Sequence, residues 1–297
     1  MFRFFRKKEK EENVTAGTLV IGCGGGGCNL VNRLGRISGV DIMTVNTDRK
    51  GLIRSRSNRR ILLGDETITS GCDGNVEMGA KLTMFASDVI QEHIKRHMTV
   101  VLMAGLGGGT GTGAVKVISE MAKRNGSRVI VMATLPMSFE SRRRRSAIDS
   151  LNDIRRSSDI VLILDGDRLV EIDPAIGARE AMSLLDQMMC ESFLSLMEIL
   201  DGENGESVYQ AFRDKTITAS FAEGMSVEKV AKILISGIMA EHPSASRPII
   251  FVRGNIPQNG SEEIISDIVS ERIGAGPAFI QGPGGTGMNL VMFVPIQ

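Results

Sequence analysis

The chain has 297 residues, and its 35 lysines and arginines are balanced by 35 aspartates and glutamates. A net charge of zero gives no general attraction for nucleic acid, and a chain with no tryptophan and one tyrosine lacks an aromatic platform for stacking bases. The length and an apolar content of 42% predict about two domains with buried cores.

The cysteines and the hydrophobic pattern indicate an intracellular setting. No stretch reaches the roughly 18–20 consecutive apolar residues of a membrane span, and no secretory signal is present. The four cysteines, Cys23, Cys28, Cys72 and Cys190, fit no disulfide framework. We therefore expect a cytoplasmic protein with reduced thiols.

Residues 1–13 form a basic and aromatic tail that stands apart from the rest of the chain. Phenylalanines are interleaved with arginines and lysines through residues 2–8, a composition that suits an anionic membrane surface. We expect a peripheral membrane contact here, weak for one copy and strengthened when many copies are joined. A disordered tail is the alternative.

The first predicted strand, residues 18–21, runs into a glycine loop at 22–27, and a helical pattern begins at Leu30. A strand, a glycine loop and a helix in this order are typical of a phosphate-binding site. Alone, the loop satisfies the dinucleotide fingerprint G-x-G-x-x-G, and Asp48 lies near the expected acidic position. An NAD-type Rossmann oxidoreductase is therefore one interpretation.

A second glycine loop, residues 105–113, follows an apolar run at 100–103 and precedes a helical stretch that starts at Ala114. Its backbone N–H groups, the helix N-terminus and the hydroxyls of Thr110 and Thr112 predict a phosphate receptor. The dinucleotide interpretation leaves this loop unexplained. Neither loop is followed by Gly-Lys-Ser/Thr, so phosphates must be held without the usual lysine.

The apolar runs of the first half alternate with helical stretches, which is typical of a parallel sheet covered on both faces. Both glycine loops then lie at the carboxyl ends of strands, where open α/β sheets bind ligands. The predicted strands are 18–21, 42–46, 99–103, 128–134 and 159–164.

Residues 174–199 are predicted as a helix with apolar side chains on most faces, buried between two layers. Residues 202–206 are predicted as a solvated turn, and the glycine run 282–287 as a hairpin-type loop. Further strands are predicted at 215–222, 248–253, 277–281 and 288–295, with helices near 226–240 and 261–272.

Two glycine loops without a P-loop lysine resemble those of the tubulin/FtsZ superfamily of GTP-binding filament proteins. The likeness is strongest at 107–113 and extends through position 225, then more loosely to the end. It implies an α/β fold with a Rossmann-like parallel-sheet GTPase domain, a long central helix and a smaller α+β C-terminal domain. The implied boundaries are a tail at 1–13, a GTP-binding domain at 14–172, a central helix at 173–200 and an activation domain at 201–297.

The same resemblance implies which residues bind GTP or GDP, with Mg²⁺ carried by the nucleotide and no metal site of the protein's own. Asn29 matches an asparagine that meets the guanine, residues 71–79 match the loop that senses the γ-phosphate, and Glu140 and Arg144 match residues that serve the ribose and phosphates. The full implied set is Gly24, Gly25, Gly26, Asn29, Asn46, Gly74, Asn75, Gly107, Gly108, Gly109, Thr110, Gly111, Thr112, Gly113, Glu140, Arg144 and Glu180.

Several positions depart from the family pattern, so the chain resembles a divergent FtsZ-like protein. Glu180 stands in place of the guanine-binding aspartate, and it can accept both donors of the guanine edge, which favours GTP over ATP. Ile176 stands where a phenylalanine stacks on the base, and Gly166 where the family has an asparagine.

The catalytic aspartates that FtsZ contributes to the neighbouring subunit are replaced by Glu203 and Glu206. A glutamate places its carboxylate one methylene further out, and a misplacement of about 1 Å can cost around 10²-fold in rate. We expect head-to-tail filaments that hydrolyse GTP slowly, with a role in cell division or cell shape. The alternative is a non-catalytic regulator or scaffold that co-assembles with FtsZ, in which the two glutamates form only a solvated acidic turn.

The remaining features are a histidine pair, two arginine clusters and the C-terminal end of the sequence. His93 and His97 have helical i, i+4 spacing, but no third metal ligand lies nearby. The arginines of segment 54–60 cluster without an assigned function, and within 142–145 only Arg144 is assigned one. Because the sequence stops at Gln297 without the linker and terminal peptide of FtsZ, we expect the N-terminal tail to be the membrane anchor.

Overall fold

The computed structural model describes residues 17–64, 71–224, 226–236, 247–254, 260–283 and 288–296. Its strands are β1 Thr18–Cys23, β2 Val40–Asn46, β3 Arg59–Leu62, β4 Thr99–Gly105, β5 Arg128–Leu135, β6 Ile160–Asp165, β7 Lys215–Gly224, β8 Ile249–Gly254, β9 Ala278–Gln281 and β10 Met288–Ile296.

The helices cover both faces of the sheet that these strands form. They are α1 Gly24–Leu34, α2 Arg49–Arg54, α3 Val76–Phe85, α4 Ser87–Ile94, α5 Gly109–Arg124, α6 Ser141–Arg156, α7 Asp167–Ile172, α8 Ala178–Asp201, α9 Gly205–Phe212, α10 Val227–Ser236 and α11 Ser261–Ile273.

Within the described ranges the strands form one ten-stranded sheet in the order β3-β2-β1-β4-β5-β6-β7-β10-β8-β9. Neighbours from β3 to β7 are parallel, and β10 is antiparallel to both β7 and β8. After β1, the chain forms β2 and β3 on one side of β1 and then crosses over to form β4 on the other side. This reversal opens a crevice at the carboxyl ends of β1 and β4, where doubly wound sheets bind their ligands.

Each face of the parallel sheet packs on its own hydrophobic cluster. Side chains alternate along β1, so Val20 packs towards α1 and α8, while Leu19 and Ile21 pack towards the α3–α6 side. A third cluster lies beneath α10 and α11. Because both faces are covered, the central strands are nearly continuous apolar runs. The predicted α/β architecture is confirmed.

The long central helix, α8, has 24 residues, which corresponds to about 36 Å. It begins at Ala178, later than the predicted 173 or 174, because Asp173 organises a turn before it. The Asp173 carboxylate accepts a hydrogen bond from the Ala175 N–H at 3.0 Å, and the helix starts after Gly177. The predicted domain boundaries remain a prediction.

One loop prediction in the second half is wrong, and another extends two residues too far. Strands β9 and β10 do not form a hairpin, since both flank β8 and neither pairs with the other. The solvated turn after α8 ends at Asn204, because α9 already begins at Gly205. Gly205 is buried, and a Cβ there would lie 2.1 Å from the Leu200 carbonyl oxygen. This close approach brings α9 back against α8.

Candidate functional site

The two glycine runs lie at the carboxyl ends of the neighbouring strands β1 and β4. The helices begin inside these runs, at Gly24 and Gly109, and not after them as the sequence predicted at Leu30 and Ala114. Neither helix has a side chain that caps its N-terminus. The first-turn N–H groups of α1 and α5 therefore remain for an anion, which the helix dipoles also favour.

Some of these glycines are required by close contact between the two loops. A Cβ on Gly24 would lie 2.7 Å from the Gly111 nitrogen, and a Cβ on Gly26 would lie 2.9 Å from the Gly105 nitrogen. Real Cβ atoms do not approach backbone so closely. The two loops are consequently held together by backbone packing, and any side chain at these positions would separate them.

The same argument joins the second loop and the start of α5 to α3 and to the segment that precedes α3. A Cβ on Gly109 would lie 2.7 Å from the Cβ of Cys72, and one on Gly113 would lie 2.4 Å from the Ala80 nitrogen. At Gly107 the backbone has φ +84°, and a Cβ would lie 2.3 Å from the carbonyl oxygen of Arg143. The loop at 105–113 is thus packed on three sides.

Other glycines of the site face open space. A Cβ on Gly25, Gly74 or Gly108 would meet no atom within 4 Å, although Gly74 has a φ of +80°. Packing within the chain therefore does not require glycine at 25 or 108. A missing side chain next to uncapped helix N-termini leaves room for a phosphate to reach the backbone.

The threonine hydroxyls of the second loop are used inside the protein. The Thr110 hydroxyl lies 2.6 Å from the hydroxyl of Thr47, and the Thr112 hydroxyl accepts a hydrogen bond from the Gly107 N–H at 2.9 Å. Thr112 is fully buried. Both hydroxyls stabilise the loop, so backbone N–H groups are the better candidates for phosphate contacts.

The three asparagines assigned to the nucleotide occupy different settings. Asn75 caps α3, since its side-chain oxygen accepts a hydrogen bond from the Met78 N–H at 2.9 Å. Asn46 is buried, and its side-chain oxygen accepts from the Asp48 N–H at 3.2 Å. Asn29 is exposed on α1. Their nucleotide contacts remain predictions.

Arg144 makes the strongest polar contact near the loops. Its guanidinium donates to both carboxylate oxygens of Asp165, at 2.8 and 2.6 Å, and to the Pro136 carbonyl at 2.7 Å. It also pairs with Asp167 at 3.0 Å. The hydrogen bonds to Asp165 raise the pKa of Arg144 above its ordinary value.

Arg144 therefore holds together the chain that follows β5 and β6, while Glu140 pairs with Arg143. Sequence reasoning did not identify Asp165 and Asp167 as partners of Arg144. The available signal was their position directly after a predicted strand, at the sheet edge that carries the glycine loops.

Glu180 lies exposed in the first turn of α8 and has no hydrogen bond or ion pair to any described residue. The same end of α8 is tied to α1, because Arg33 donates to the Ser183 hydroxyl at 2.7 Å. Ile176 packs, partly buried, against the core below. The carboxylate of Glu180 is thus available to donors of a ligand.

Glu203 and Glu206 lie at the other end of α8. Glu203 is exposed and has no hydrogen bond or ion pair in the described ranges, whereas Glu206 accepts from Arg128 at 2.7 Å and from Gln210 at 2.8 Å. The hydrogen bond from Gln210, followed by that from Arg128, lowers the pKa of Glu206 below its ordinary value. Sequence reasoning missed Arg128, which is 78 positions away.

Arg128 also fixes the location of this turn relative to the sheet. It is the first residue of β5, and its guanidinium lies 4.4 Å from the ring centre of Tyr209. The glycine loops follow the carboxyl ends of β1 and β4, which are parallel to β5. The segment 203–206, here called the acidic turn, therefore lies at the opposite end of the sheet from the glycine loops.

The four cysteines are buried and unpaired, as expected. Burial raises the pKa of the Cys28 thiol to about 11 and that of the Cys190 thiol to about 12, so both stay protonated and unreactive at neutral pH.

The two histidines have different side-chain partners. His93 Nδ1 lies 3.2 Å from Arg59, and His97 Nε2 lies 3.1 Å from Asp41. Across the residues that the structure describes, no group of three or more His, Cys, Asp or Glu could hold a metal ion.

A sheet whose adjacent central strands both end in glycine-rich, lysine-free loops defines an α/β nucleotide-binding protein that differs from the P-loop class. Residues 18–174 match the Tubulin/FtsZ family, GTPase domain, and the chain belongs to this family. The matched segment includes both glycine loops. The first loop is therefore part of a Tubulin/FtsZ GTPase domain and not the NAD fingerprint of an oxidoreductase.

Known relatives agree with this assignment. The chain is 35% identical over 186 residues to the cell division protein FtsZ 2 of Halobacterium salinarum, covering 61% of this chain and 47% of that protein. The matched region thus spans about half of the curated relative's length.

Solved structures give the same fold. An FtsZ mutant of M. jannaschii superposes with a TM-score of 0.82 at 24% identity, covering 95% of this chain and 91% of that one. CetZ2 of Haloferax volcanii, solved as a GTPγS-bound protofilament, gives 0.77 at 20% identity and covers 94% and 92%. Among the helices that the structure describes, none has the length and apolar character needed to cross a membrane.

Proposed function

We propose that this protein binds GTP at the glycine loops, assembles head to tail, and hydrolyses GTP slowly with the acidic turn of the adjacent subunit. One observation carries the proposal: the glycine loops and the acidic turn lie at opposite ends of the same parallel sheet. The helix between them, α8, is about 36 Å long. Within one chain the two sites are too far apart to react, whereas a head-to-tail contact brings them together.

The proposed ligand is GTP, and GDP is its product. The phosphates would contact the first-turn N–H groups of α1 and α5, where Gly25 and Gly108 leave open space. The free carboxylate of Glu180 suits the two donors of the guanine edge, and adenine would leave it partly unpaired. Mg²⁺ bound with the nucleotide neutralises phosphate charge, and its ligands would be mainly phosphate oxygens and water.

The reaction proposed is attack of water on the γ-phosphorus, with cleavage of the bond to the β–γ bridging oxygen. Glu203 is the better placed of the two glutamates, because its carboxylate is unpaired while that of Glu206 is bonded to Arg128 and Gln210. Glu203 would accept a hydrogen bond from the water and orient it. Hydrolysis is expected to be slow, since the longer side chain fixes the carboxylate less firmly.

The cellular role that we propose is in division or cell shape, in the cytoplasm, as a homo-oligomeric filament that also accepts FtsZ as a partner. The relative from Halobacterium salinarum is a cell division protein, and the CetZ2 structure is a protofilament, which supports this role. The membrane contact assigned to residues 2–8 lies outside the described residues and remains a prediction.

A mixing experiment tests hydrolysis across the contact. Glu203→Gln removes the proposed water-orienting group, and Gly25→Glu places a repelling charge against the phosphates at a position where the chain leaves space. Each variant alone should lose GTP turnover by at least about tenfold, by loss of general acid–base or electrostatic assistance. In an equal mixture, one contact in four places the intact nucleotide site of a Glu203→Gln subunit against the intact acidic turn of a Gly25→Glu subunit. The mixture should therefore recover about a quarter of wild-type turnover.

The matched control is Glu262→Gln, which removes the same charge from an exposed position on α11. It should leave turnover unchanged. Sedimentation shows whether both variants enter the same particles, and co-sedimentation without recovery would reject the proposal. So would wild-type turnover per chain that does not rise with protein concentration.

A non-catalytic regulator or scaffold is the second candidate, and the engagement of Glu206 by Arg128 favours it. It predicts tight GTP binding with no phosphate release at any concentration. Measuring bound nucleotide and released phosphate on the same sample separates the two functions.

A further inference from the structure

At the β3 edge of the sheet, the edge strand β3 is shorter than its neighbour β2 and leaves part of β2 uncovered. Strand β3 pairs with β2 only from Met43 to Asn46, whereas β1 pairs with β2 from Val40 onward. Residues 40–42 of β2 therefore have a strand on one side and no described strand on the other. The Val40 N–H already donates to the Ile37 carbonyl at 3.4 Å. Backbone groups of Asp41 and Ile42 that point to the open side can pair with another extended chain.

A cavity of about 550 Å³ lies next to this open segment. Apolar side chains line part of it, including Val31, Ile37 and Ile42. Arg36, Arg56 and Arg59 line it as well. The cavity thus combines an apolar surface with three guanidinium groups and an unpaired strand edge.

The positive charge of the cavity is not balanced from within. Arg36 and Arg56 have no side-chain partner in the described part of the chain. Among the described lining residues the one carboxylate is Asp41, which Arg59 at 3.3 Å and His97 at 3.1 Å already share. Beside the cavity the pKa of His93 is lowered, first by burial and then by Arg59 and other nearby cations.

The loop that carries Arg56 is held in place by hydrogen bonds. Ser55 and Ser57 both contact the Thr44 hydroxyl, at 3.1 and 2.7 Å, and all of these hydroxyls are buried. The Arg56 N–H donates to the Asn32 side-chain oxygen at 2.6 Å. Because the wall of the cavity is already ordered, a ligand would bind without first having to fix it.

We propose that this cavity, here called the edge groove, binds an extended acidic segment of a partner protein. The segment would pair with residues 40–42 as an added strand. Alternate side chains of a strand point to opposite sides, so aliphatic residues would reach the apolar surface while carboxylates meet the arginines. Arginine recognises carboxylates in a bidentate manner. The edge groove lies at the amino end of β2, whereas the nucleotide site lies at the carboxyl end of the sheet, so the two sites do not overlap.

A membrane surface explains fewer of these features than a peptide does. A bilayer is broad, whereas the edge groove admits only a few side chains. Lipid head groups also make no use of an open strand edge. The observations therefore favour a peptide, and anionic lipid becomes an outcome of the test.

The test uses the full chain and a fluorescein-labelled decapeptide in which glutamate alternates with isoleucine. Anisotropy should reveal saturable binding that weakens as salt rises. The double variant Arg36→Glu/Arg56→Glu should weaken binding by at least tenfold, and Arg272→Glu on α11, combined with Arg124→Glu on α5, should not change it. A peptide methylated on alternate backbone nitrogens should bind at least tenfold more weakly, because strand pairing is then blocked.

Three results would overturn the proposal. The first is no anisotropy change at millimolar peptide. The second is equal binding to the double variant and the control variant. The third is equal or tighter binding to vesicles of phosphatidylserine and phosphatidylcholine with the same arginine dependence, which would assign the edge groove to lipid. Circular dichroism and thermal unfolding of each variant confirm that the fold is retained.

Discussion

The two ends of the parallel sheet differ in the way they are built. At the carboxyl end, glycine loops from β1 and β4 touch through backbone atoms, and the exposed surface offers N–H groups. At the amino end, the acidic turn is held by side chains, with Arg128 between Glu206 and the ring of Tyr209. Packed glycines tolerate no added atom at either end, Gly205 of the acidic turn included, whereas the exposed side chains of Glu203 and Glu206 can change and leave the fold intact.

This difference matches the chemistry that each end would perform. A phosphate cradle made of N–H groups depends on the path of the chain, so its sequence is constrained by packing. A carboxylate that only orients water depends on the position of one side chain. The departures from FtsZ that the family resemblance implies are at side-chain positions, such as Glu180 and the two glutamates of the acidic turn, whereas the glycine loops lie within the segment that matches the family.

The largest expected effect is a difference in stability between alanine substitutions at a packed glycine and at an open glycine of the nucleotide end. A Cβ on Gly27 would lie 2.2 Å from the Met103 carbonyl oxygen, whereas one on Gly25 meets nothing within 4 Å. Gly27→Ala should destabilise the protein by about 3 kcal/mol, because α1 must move away from β1 and β4. Gly25→Ala should leave stability equal or slightly higher, since alanine favours helix by up to about 1 kcal/mol.

Chemical denaturation of both variants without nucleotide measures this difference, and GTP affinity gives the second readout. Gly25→Ala should weaken GTP binding although it does not destabilise the fold. Equal stability losses for the two variants would contradict the division of the glycines into packed and open ones.

The next effect concerns Arg144, the side-chain clamp at the nucleotide end. Arg144→Gln leaves the buried carboxylate of Asp165 without its bidentate partner and should cost about 2 kcal/mol of unfolding free energy. Arg143→Gln, next in sequence, removes a surface pair with Glu140 and should cost less than about 1 kcal/mol. Thermal unfolding measures both, and a larger loss for Arg143→Gln would contradict the clamp.

A smaller effect is expected at the amino end, where the one tyrosine of the chain reports on α9. Arg128→Met removes the guanidinium over the Tyr209 ring and the partner of Glu206. Tyrosine fluorescence should change while global stability changes little. The control Arg124→Met removes an exposed arginine from α5 and should leave the fluorescence unaltered. An unchanged signal in Arg128→Met would contradict the contact.

The smallest effect is a pH dependence of the same contact. The pKa of Glu206 is lowered in the folded protein, so its contribution to stability is present above its ordinary value of 4.5 and is lost as pH falls through the folded value. The tyrosine signal should therefore be constant from neutral pH down to 4.5 and change below it. In Glu206→Gln this acid transition should disappear; its persistence would assign the transition to another group.

Much of the nucleotide end could be predicted from the sequence because its determinants are local. Apolar runs such as 99–103 mark strands that are buried on both faces, and the glycine runs mark the turns that follow them. The helix starts were predicted too late, since glycine is a poor helix former and gives no periodic signal. Tertiary packing of Gly24 and Gly109 overrides that local preference.

The amino end was predictable only in part. The acidic residues 203–206 stand out in the sequence, but their partner Arg128 is brought to them by the fold of the whole sheet. Strand β3 was missed because its two arginines interrupt the apolar pattern of a strand at the sheet edge. The hairpin predicted at 282–287 failed because β8, which is distant in sequence, lies between the two strands.

The joint between β6 and β7 has a mechanical consequence. Among the described strands, β6 and β7 pair over three positions, from Ile160–Lys215 to Leu162–Ile217, whereas β7 and β10 pair along nine. In a head-to-tail filament the pulling direction runs along the strands, so this short joint is loaded in shear and its few bonds must break together. Under tension, this short joint would share the load with α8, which packs against the C-terminal strands and accepts a hydrogen bond from Arg253 through Glu198.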